Sequence, residues 1–310
     1  MKNFFLITLL ITTYCFSLVS LTGASQNDDL LVDFLWHKLT SSDIKDRPKV
    51  AVVLSGGGAR GLAHAGVLKV LDEEKIPVDM VVGASVGALI GSLYASGIPS
   101  EKIEDMAANI NWRNLFSFHL SYQSIYSTKK LEDYIQKNIE DKRFDQLNIP
   151  FACVSVDVQT GEMIIFREGL VAPAVRASAS IPGAFEPVEY RHRLLIDGGV
   201  IDNVPVDVAQ IMGADIIIAV VTNADLTKVK PDNIFKIMTQ VISIQSNYIS
   251  GTQMKNADII ITPKVTDVAS TDLEKGKQCV QAGEIAARAL IPDIKKVILR
   301  RVFPQLMTAN

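Results

Sequence analysis

The sequence predicts a three-layer α/β fold with a mainly parallel central sheet. Three observations carry that expectation. Val50–Leu54 is a continuous apolar run, as expected of a strand covered on both faces, and short, largely apolar runs recur at Phe151–Val158 and Asp215–Val221. Between such runs lie segments with helical spacing of apolar residues, such as Leu62, Val67, Leu68 and Leu71. The first two strands each pass through a glycine-rich turn directly into a helix. That alternation is how parallel strands are connected.

The elements follow in order. Residues 25–48 are polar and mixed, with an apolar patch over 30–36; they read as a short amphipathic helix and a linker ending at Pro48. Val50–Leu54 is the first strand and Arg60–Glu74 the first core helix. Met80–Val82 and Val86–Ser96 repeat the pair. Phe151–Val158 and Met163–Phe166 flank Gln159-Thr160-Gly161-Glu162, a hairpin signal. Val171–Ala179 is helical and stops at Ile181-Pro182-Gly183. Leu194–Ile196 is a short strand running into Asp197-Gly198-Gly199. Asp215–Val221 and Ile259–Ile261 are further strands. Helices are expected over 232–249 and 273–290, with a last one near 293–302. Residues 212–310 are thus expected to complete the sheet and cover it, with no chemical motif of their own.

Composition narrows the function. With 48% hydrophobic and 21% charged residues over 310 positions, a sizeable core is available. The net charge of −3 and the dispersed Lys and Arg residues leave no basic stripe for nucleic acid. Three cysteines, Cys15, Cys153 and Cys279, make no disulfide framework, and no Cys–His spacing matches a zinc site. Cys153 lies in an apolar strand and is expected in the core. The N-terminus reads as an export signal: Lys2, an apolar stretch from Phe4 to Leu21, and small residues before a cut after Ala24. Residues 1–24 would then be removed, leaving the protein periplasmic or secreted. The alternative is an uncleaved anchor, since the stretch approaches the ~18–20 residues that span a bilayer.

Chemistry concentrates in the two glycine turns. Gly83-Ala84-Ser85-Val86-Gly87 fits the nucleophile-elbow pattern G-x-S-x-G, which holds a serine hydroxyl at the tip of a sharp strand-to-helix turn. Gly56-Gly57-Gly58-Ala59-Arg60-Gly61 offers backbone N–H groups at a helix start, suited to an oxyanion. The same six residues satisfy the dinucleotide fingerprint G-x-G-x-x-G. A ribose-binding carboxylate should then end the second strand; that strand ends at Gly83 instead, and Asp79 stands at its wrong end. The oxyanion reading is therefore preferred. Arg60 agrees with it, because a cation in the first turn of a helix opposes the helix dipole unless an anion lies near.

A serine nucleophile needs a base. His37, His64, His119 and His192 lack triad context, although His192, in a hairpin tip, stays open as an alternative. Asp197 is better placed, at the carboxyl end of a strand, where ligands meet open α/β sheets. A partly desolvated aspartate can accept the proton directly.

These blocks, in this order, resemble the patatin-like phospholipase family over residues 50–211. The resemblance rests on Gly56–Gly61, Gly83–Gly87 and Asp197–Gly199, with Ala177-Ser178-Ala179-Ser180-Ile181-Pro182-Gly183 and Asn203-Val204-Pro205 as connecting blocks. It implies Ser85 as nucleophile and Asp197 as its only partner. It implies an oxyanion hole from the Gly57 and Gly58 amides, supported by Arg60. The implied activity is hydrolysis of lipid carboxylic esters, as in phospholipase A and lysophospholipase members, on a lipid or membrane-surface substrate, with no metal or organic cofactor. The alternatives are acyl transfer to another lipid, or an exported lipid-binding module without turnover. Ser55 stands where the family often has aspartate. Finally, residues 111–126 gather Trp112, Phe116, Phe118, Tyr122 and Tyr126 and are expected to form a lid or lipid-contact flap, or else an ordinary packed insertion.

Overall fold

The computed structural model describes residues 30–41, 47–111, 115–118, 125–227, 231–232 and 234–307. The export segment, Trp112, His119 and Tyr122 lie outside the described residues. The chain divides into two compact units, residues 48–293 and a smaller one comprising the described residues before 48 with those from 294 on. In the smaller unit, helix α1 (residues 30–41) buries Val32, Leu35, Trp36 and Leu39, the i, i+3, i+4, i+7 stripe of an amphipathic helix. Lys295 stacks on the Trp36 ring with its ammonium 5.5 Å from the centroid.

The larger unit begins with strand β1 (Val50–Leu54), a 3-10 turn (Gly58–Leu62), helix α2 (Ala63–Glu73), strand β2 (Met80–Ala84), and helices α3 (Val86–Ala95) and α4 (Ser100–Asn109). A short ribbon, β3 (Ser117–Phe118) with β4 (Tyr126–Ser127), precedes helix α5 (Lys129–Ile139). Then come β5 (Phe151–Asp157), β6 (Met163–Phe166), α6 (Val171–Ser178), β7 (Val188–Tyr190), β8 (Arg193–Asp197) and α7 (Val206–Ile211). β9 (Ile216–Val220), α8 (Ile234–Gln253), β10 (Ile259–Ile261), α9 (Gly276–Val302) and α10 (Pro304–Met307) close the order.

The main sheet has the order β10-β9-β1-β2-β5-β8-β7, with β6 also on β5. β10, β9, β1, β2 and β5 are parallel, β6 and β8 pair antiparallel to β5, and β7 pairs antiparallel to β8. All five residues of β1, β2 and β9 are buried, which explains their unbroken apolar runs. The central strands match the sequence reading. So does the 159–162 turn, and Cys153 is fully buried. The β7–β8 turn is Arg191-His192, both at positive φ (45° and 64°), the geometry of a two-residue hairpin whose twist suits its strands.

One element corrects the reading. The two helices expected over 273–290 and 293–302 are a single helix, α9, with Pro292 inside it. An interior proline costs a helix roughly 3 kcal/mol. Ile294, Ile298 and Leu299 are buried beyond it, and each buried aliphatic side chain contributes about 1.5–3 kcal/mol, so continuation wins. Helices α4 and α5, missed in the sequence, are held by polar ties as well as burial. The Arg176 guanidinium on α6 donates to Glu132 at 3.1 Å and to Thr128 at 3.0 Å, at the start of α5.

Candidate active site

The pairing register sets two chain ends against each other. β6 occupies one edge of β5 over Cys153–Val156. β2 and β8 must therefore share the other edge, β2 along Phe151–Val154 and β8 along Ser155–Asp157. They run toward one another. β2 ends at Ala84 opposite Val154, and β8 ends at Asp197 opposite Ser155. The residue after β2 and the last residue of β8 thus meet where two carboxyl ends converge.

That residue after β2 is Ser85, with φ 54° and ψ −124°. Positive φ is strained for a residue with a side chain and persists only where the surroundings impose it. Two contacts impose it. The Ser85 N–H donates to Ser178 Oγ at 3.0 Å. Gly87 lets α3 press against β1, since a Cβ there would run into the Leu54 carbonyl. Asp197 is 5% exposed, and its Oδ1 accepts the Gly199 N–H at 2.7 Å. Burial raises its pKa to about 6, while hydrogen bonds from the Ser85 side chain and the Gly199 amide hold it down.

The first glycine turn faces the same point. The Gly56 N–H donates to the Asn203 carbonyl at 3.1 Å and the Ala59 N–H to the Ser270 carbonyl at 2.8 Å. Between them, Gly57 (φ 153°) and Gly58 (φ 59°) adopt conformations open mainly to glycine. Their amides have no hydrogen-bond partner among the described residues. Behind the turn, Thr222 Oγ1 donates to the Gly56 carbonyl at 2.9 Å, and the Thr222 N–H donates to Ser55 Oγ at 3.0 Å.

Arg60 is buried rather than a surface residue. Its Nε donates to the Thr222 carbonyl at 3.3 Å and its Nη1 to the Val268 carbonyl at 3.1 Å. Desolvation lowers its pKa to about 10, opposed by Cys279, so it stays cationic at neutral pH. It strings the glycine turn to two later loops.

Two hollows open on Ser85. A cleft is lined by Gly57, Arg60, Asp197, Asn203, Thr222 and one face of α8, with other neighbours. An apolar hollow is lined by Leu62, Leu89, Leu115, Phe116, Leu131 and Phe185 among others. Gly58, Ser85, Ile181 and Ser270 border both. Phe116 stacks on Phe185 with centroids 4.4 Å apart, so part of the aromatic flap segment walls the apolar hollow.

None of the described histidines lines either hollow. His64 is buried, its Nε2 2.8 Å from the Ser55 carbonyl, and burial lowers its pKa to about 4. His192 sits on the exposed hairpin tip and His37 on α1. Among the described residues no cluster could hold a metal ion.

The structure therefore brings Ser85, Asp197, Gly57, Gly58 and Arg60 together. Sequence reasoning missed Ser178, Asn203, Thr222 and the inner face of α8. The blocks around 177–183 and 203–205 were visible but read as structural. Thr222 signals itself only as the polar residue ending a buried parallel strand. Helix α8 was expected over 232–249, but nothing in its sequence marks one face as lining a site.

The fold and site define an α/β protein with a serine elbow at the carboxyl edge of a parallel sheet. The chain belongs to the patatin-like phospholipase family, whose model matches residues 52–209. It is 37% identical over 60% of its length to a patatin-like phospholipase domain-containing protein of Caenorhabditis elegans, of which it covers 14%. It is 34% identical over 57% of its length to an uncharacterized NTE family protein of Mycobacterium tuberculosis, covering 49% of it. The chain thus spans from about a seventh to a half of these relatives. Among solved structures, VipD from Legionella pneumophila shares the fold, with TM-score 0.50 and 16% identity over 80% of this chain and 67% of that one.

Proposed function

We propose that this protein is a serine acyl hydrolase that cleaves carboxylic esters of lipids through a Ser85–Asp197 dyad. The observation that carries the reading is the convergence of a strained serine and a buried carboxyl under two unpartnered glycine amides. Ser85 Oγ attacks the ester carbonyl and forms a C–O bond, while its proton passes to the Asp197 carboxylate. The Gly57 and Gly58 amides receive the oxyanion. Arg60 acts from behind, adding positive potential and holding the turn through the Thr222 and Val268 carbonyls. As the tetrahedral intermediate collapses, the bond to the leaving alcohol breaks and Asp197 returns the proton to it. Water then repeats the sequence on the acyl-enzyme.

An aspartate with its pKa near 6 suits this role better than an ordinary one, because a stronger base takes the serine proton more readily. The neutral, engaged His64 has no part in it. The apolar hollow accommodates the acyl chain, and the polar cleft takes the alcohol side of the ester. The N-terminal segment serves export to the periplasm or medium; amino-terminal sequencing of the mature protein tests the cut after Ala24.

The deciding experiment is labelling of the native protein with a fluorophosphonate, mapped by mass spectrometry. Label is expected on Ser85. Absence of label there, or full esterase activity in Ser85→Ala, refutes the dyad.

A further inference from the structure

Helix α8 is amphipathic the wrong way round. Its inner face carries Thr239, Ser243, Ser246 and Asn247, which line the cleft. That polarity has a local reason. Asn247 Nδ2 donates to the Ala224 carbonyl at 2.8 Å, Ser246 Oγ to the Gly199 carbonyl at 3.2 Å, and Asn203 Nδ2 to Ser250 Oγ at 3.0 Å. The inner face thus satisfies loops on both sides of the cleft, including the one that follows Asp197.

The outer face has no such explanation. Ile234, Ile237, Met238, Val241, Ile244 and Tyr248 fall on the opposite side at helical spacing. Their side chains are exposed, Ile234 by 73%, Val241 by 56%, Ile244 by 50% and Tyr248 by 84%. A solvent-facing helix surface is ordinarily charged. Over its twenty residues α8 has no carboxylate, and Lys236 is its single basic residue. The helix also adjoins the loop that carries Phe185. The Met238 methyl lies 3.2 Å from where a Cβ would stand on Gly183. Two residues on, the buried Phe185 meets Tyr126, which meets the 72% exposed Phe118.

We infer that the outer face of α8, with Phe118, is a docking surface for a lipid bilayer, which brings the cleft mouth down onto the membrane. Three features select lipid over a protein partner. The stripe contributes contact by dispersion and apolar burial alone, with Tyr248 as its one hydroxyl. Tyr248, the most exposed residue of the stripe, is a type that settles at headgroup level. Within α8 no carboxylate opposes an anionic surface, and Asp232 just before it is neutralised by Lys236 at 2.8 Å. The position also fits. The same helix walls the cleft from inside, so whatever meets its outer face lies at the rim through which a lipid ester reaches Ser85. This inference rests on the lipid-ester reading for its effect on turnover, but binding itself is measurable without turnover.

The test uses the full chain with vesicles of ether-linked phosphatidylcholine and phosphatidylglycerol, which contain no ester. Wild type is compared with Ile237→Ser/Val241→Ser/Ile244→Ser and with Val241→Glu alone, alongside Ile285→Ser, a still more exposed apolar residue on α9, as control. All substitutions lie on exposed surface, and circular dichroism checks folding. Expected are at least tenfold weaker vesicle partition for both α8 variants, none for the control, and hydrolysis of a soluble butyrate ester within twofold of wild type. Unchanged partition in the α8 variants overturns the docking surface. So does a shift of wild type from dimer to monomer on substitution with partition unaffected, which assigns the face to a second copy. Loss of partition in a protein that hydrolyses no ester leaves docking standing and refutes the hydrolase reading instead.

Discussion

The cleft walled by Asn203, Thr222 and α8 and the hollow walled by Leu89, Leu131 and Phe185 share Ser85, yet different parts of the chain build them. The cleft draws heavily on the last third of the sequence, and many of its polar groups also bond loop backbone. The apolar hollow comes mostly from residues 58–131 and the 179–185 loop, and its walls are side chains with nothing to hydrogen-bond. An ester bond has the same two-sidedness, an apolar acyl chain on one side of the carbonyl and a polar alcohol on the other. The nucleophile stands where the two environments meet, and each side can be altered without the other.

The largest effect should abolish the comparison altogether. Ser85→Ala is expected to lower kcat by about 10⁴-fold or more on every ester, long or short, since both hollows then open on nothing reactive. Initial rates on a soluble butyrate ester and on a phospholipid measure it. Asp197→Asn follows, with a loss of about 10³-fold or more, because the amide accepts no proton.

pH sharpens the assignment. The dyad needs Asp197 ionised, so kcat/KM should fall tenfold per pH unit below about 6. Asp202 is a second buried carboxyl, raised to about 7 by burial and by Asp207. Asp202→Asn should leave the acid limb in place. If it removes the limb, Asp197 is not the group being titrated. The linkage has a stability side. The folded pKa of Asp197 lies above its unfolded value of 3.8, so the native state favours the protonated form. Stability contributed below pH ~4 is lost as pH rises through about 6. Asp197→Asn should therefore be more stable than wild type at pH 8, by up to about 3 kcal/mol, in urea unfolding.

A narrower change addresses one hollow alone. Leu89 is 4% exposed and lines the apolar side only. Leu89→Phe should cost long-chain esters about tenfold in kcat/KM relative to butyrate, since a methylene or two in an apolar pocket is worth about 1–3 kcal/mol. Ser243→Ala, on the cleft side, should leave that chain-length ratio unchanged. A chain-length shift from Ser243→Ala instead would reverse the assignment of the two hollows.

The same contrast explains what was legible in the sequence. β1, β2 and β9 announce themselves because both their faces are buried, which makes each an unbroken apolar run; β5 is read the same way despite Ser155 and Asp157. Ser85, Gly57 and Gly58 were legible because backbone geometry restricts residue type at their positions, and Asp197 because it ends a strand ahead of two glycines. The cleft walls were not, because Thr222, Ser243 and Asn247 are ordinary polar residues whose meaning lies in which loop carbonyl or amide they meet. Helix α8 was visible as a helix, but the sequence does not say which of its faces turns inward, and burial reversed the usual choice. The join at Pro292 was missed for a related reason: a local breaker was outweighed by burial beyond it.

The smallest effect tests whether the elbow is held in place by its own strand or by a neighbour. Ser178 belongs to α6, yet its Oγ accepts the Ser85 N–H at 3.0 Å and its side chain is fully buried. Ser178→Ala removes the acceptor and leaves a buried N–H without a partner, at a cost of about 1–3 kcal/mol. Ser85 at φ 54° has little strain to spare. Part of that cost should appear as lower stability in urea, and part as relaxation of the elbow that moves Oγ relative to Asp197. A loss of kcat of about three- to thirtyfold with KM unchanged is expected on the soluble ester, since positioning affects the reacting atoms and not the hollows. Ser178→Thr keeps the acceptor and should recover most of kcat if the added methyl fits. A stability loss with kcat intact would mean that the glycine packing around α3 alone fixes the serine, and that α6 merely fills space beside it.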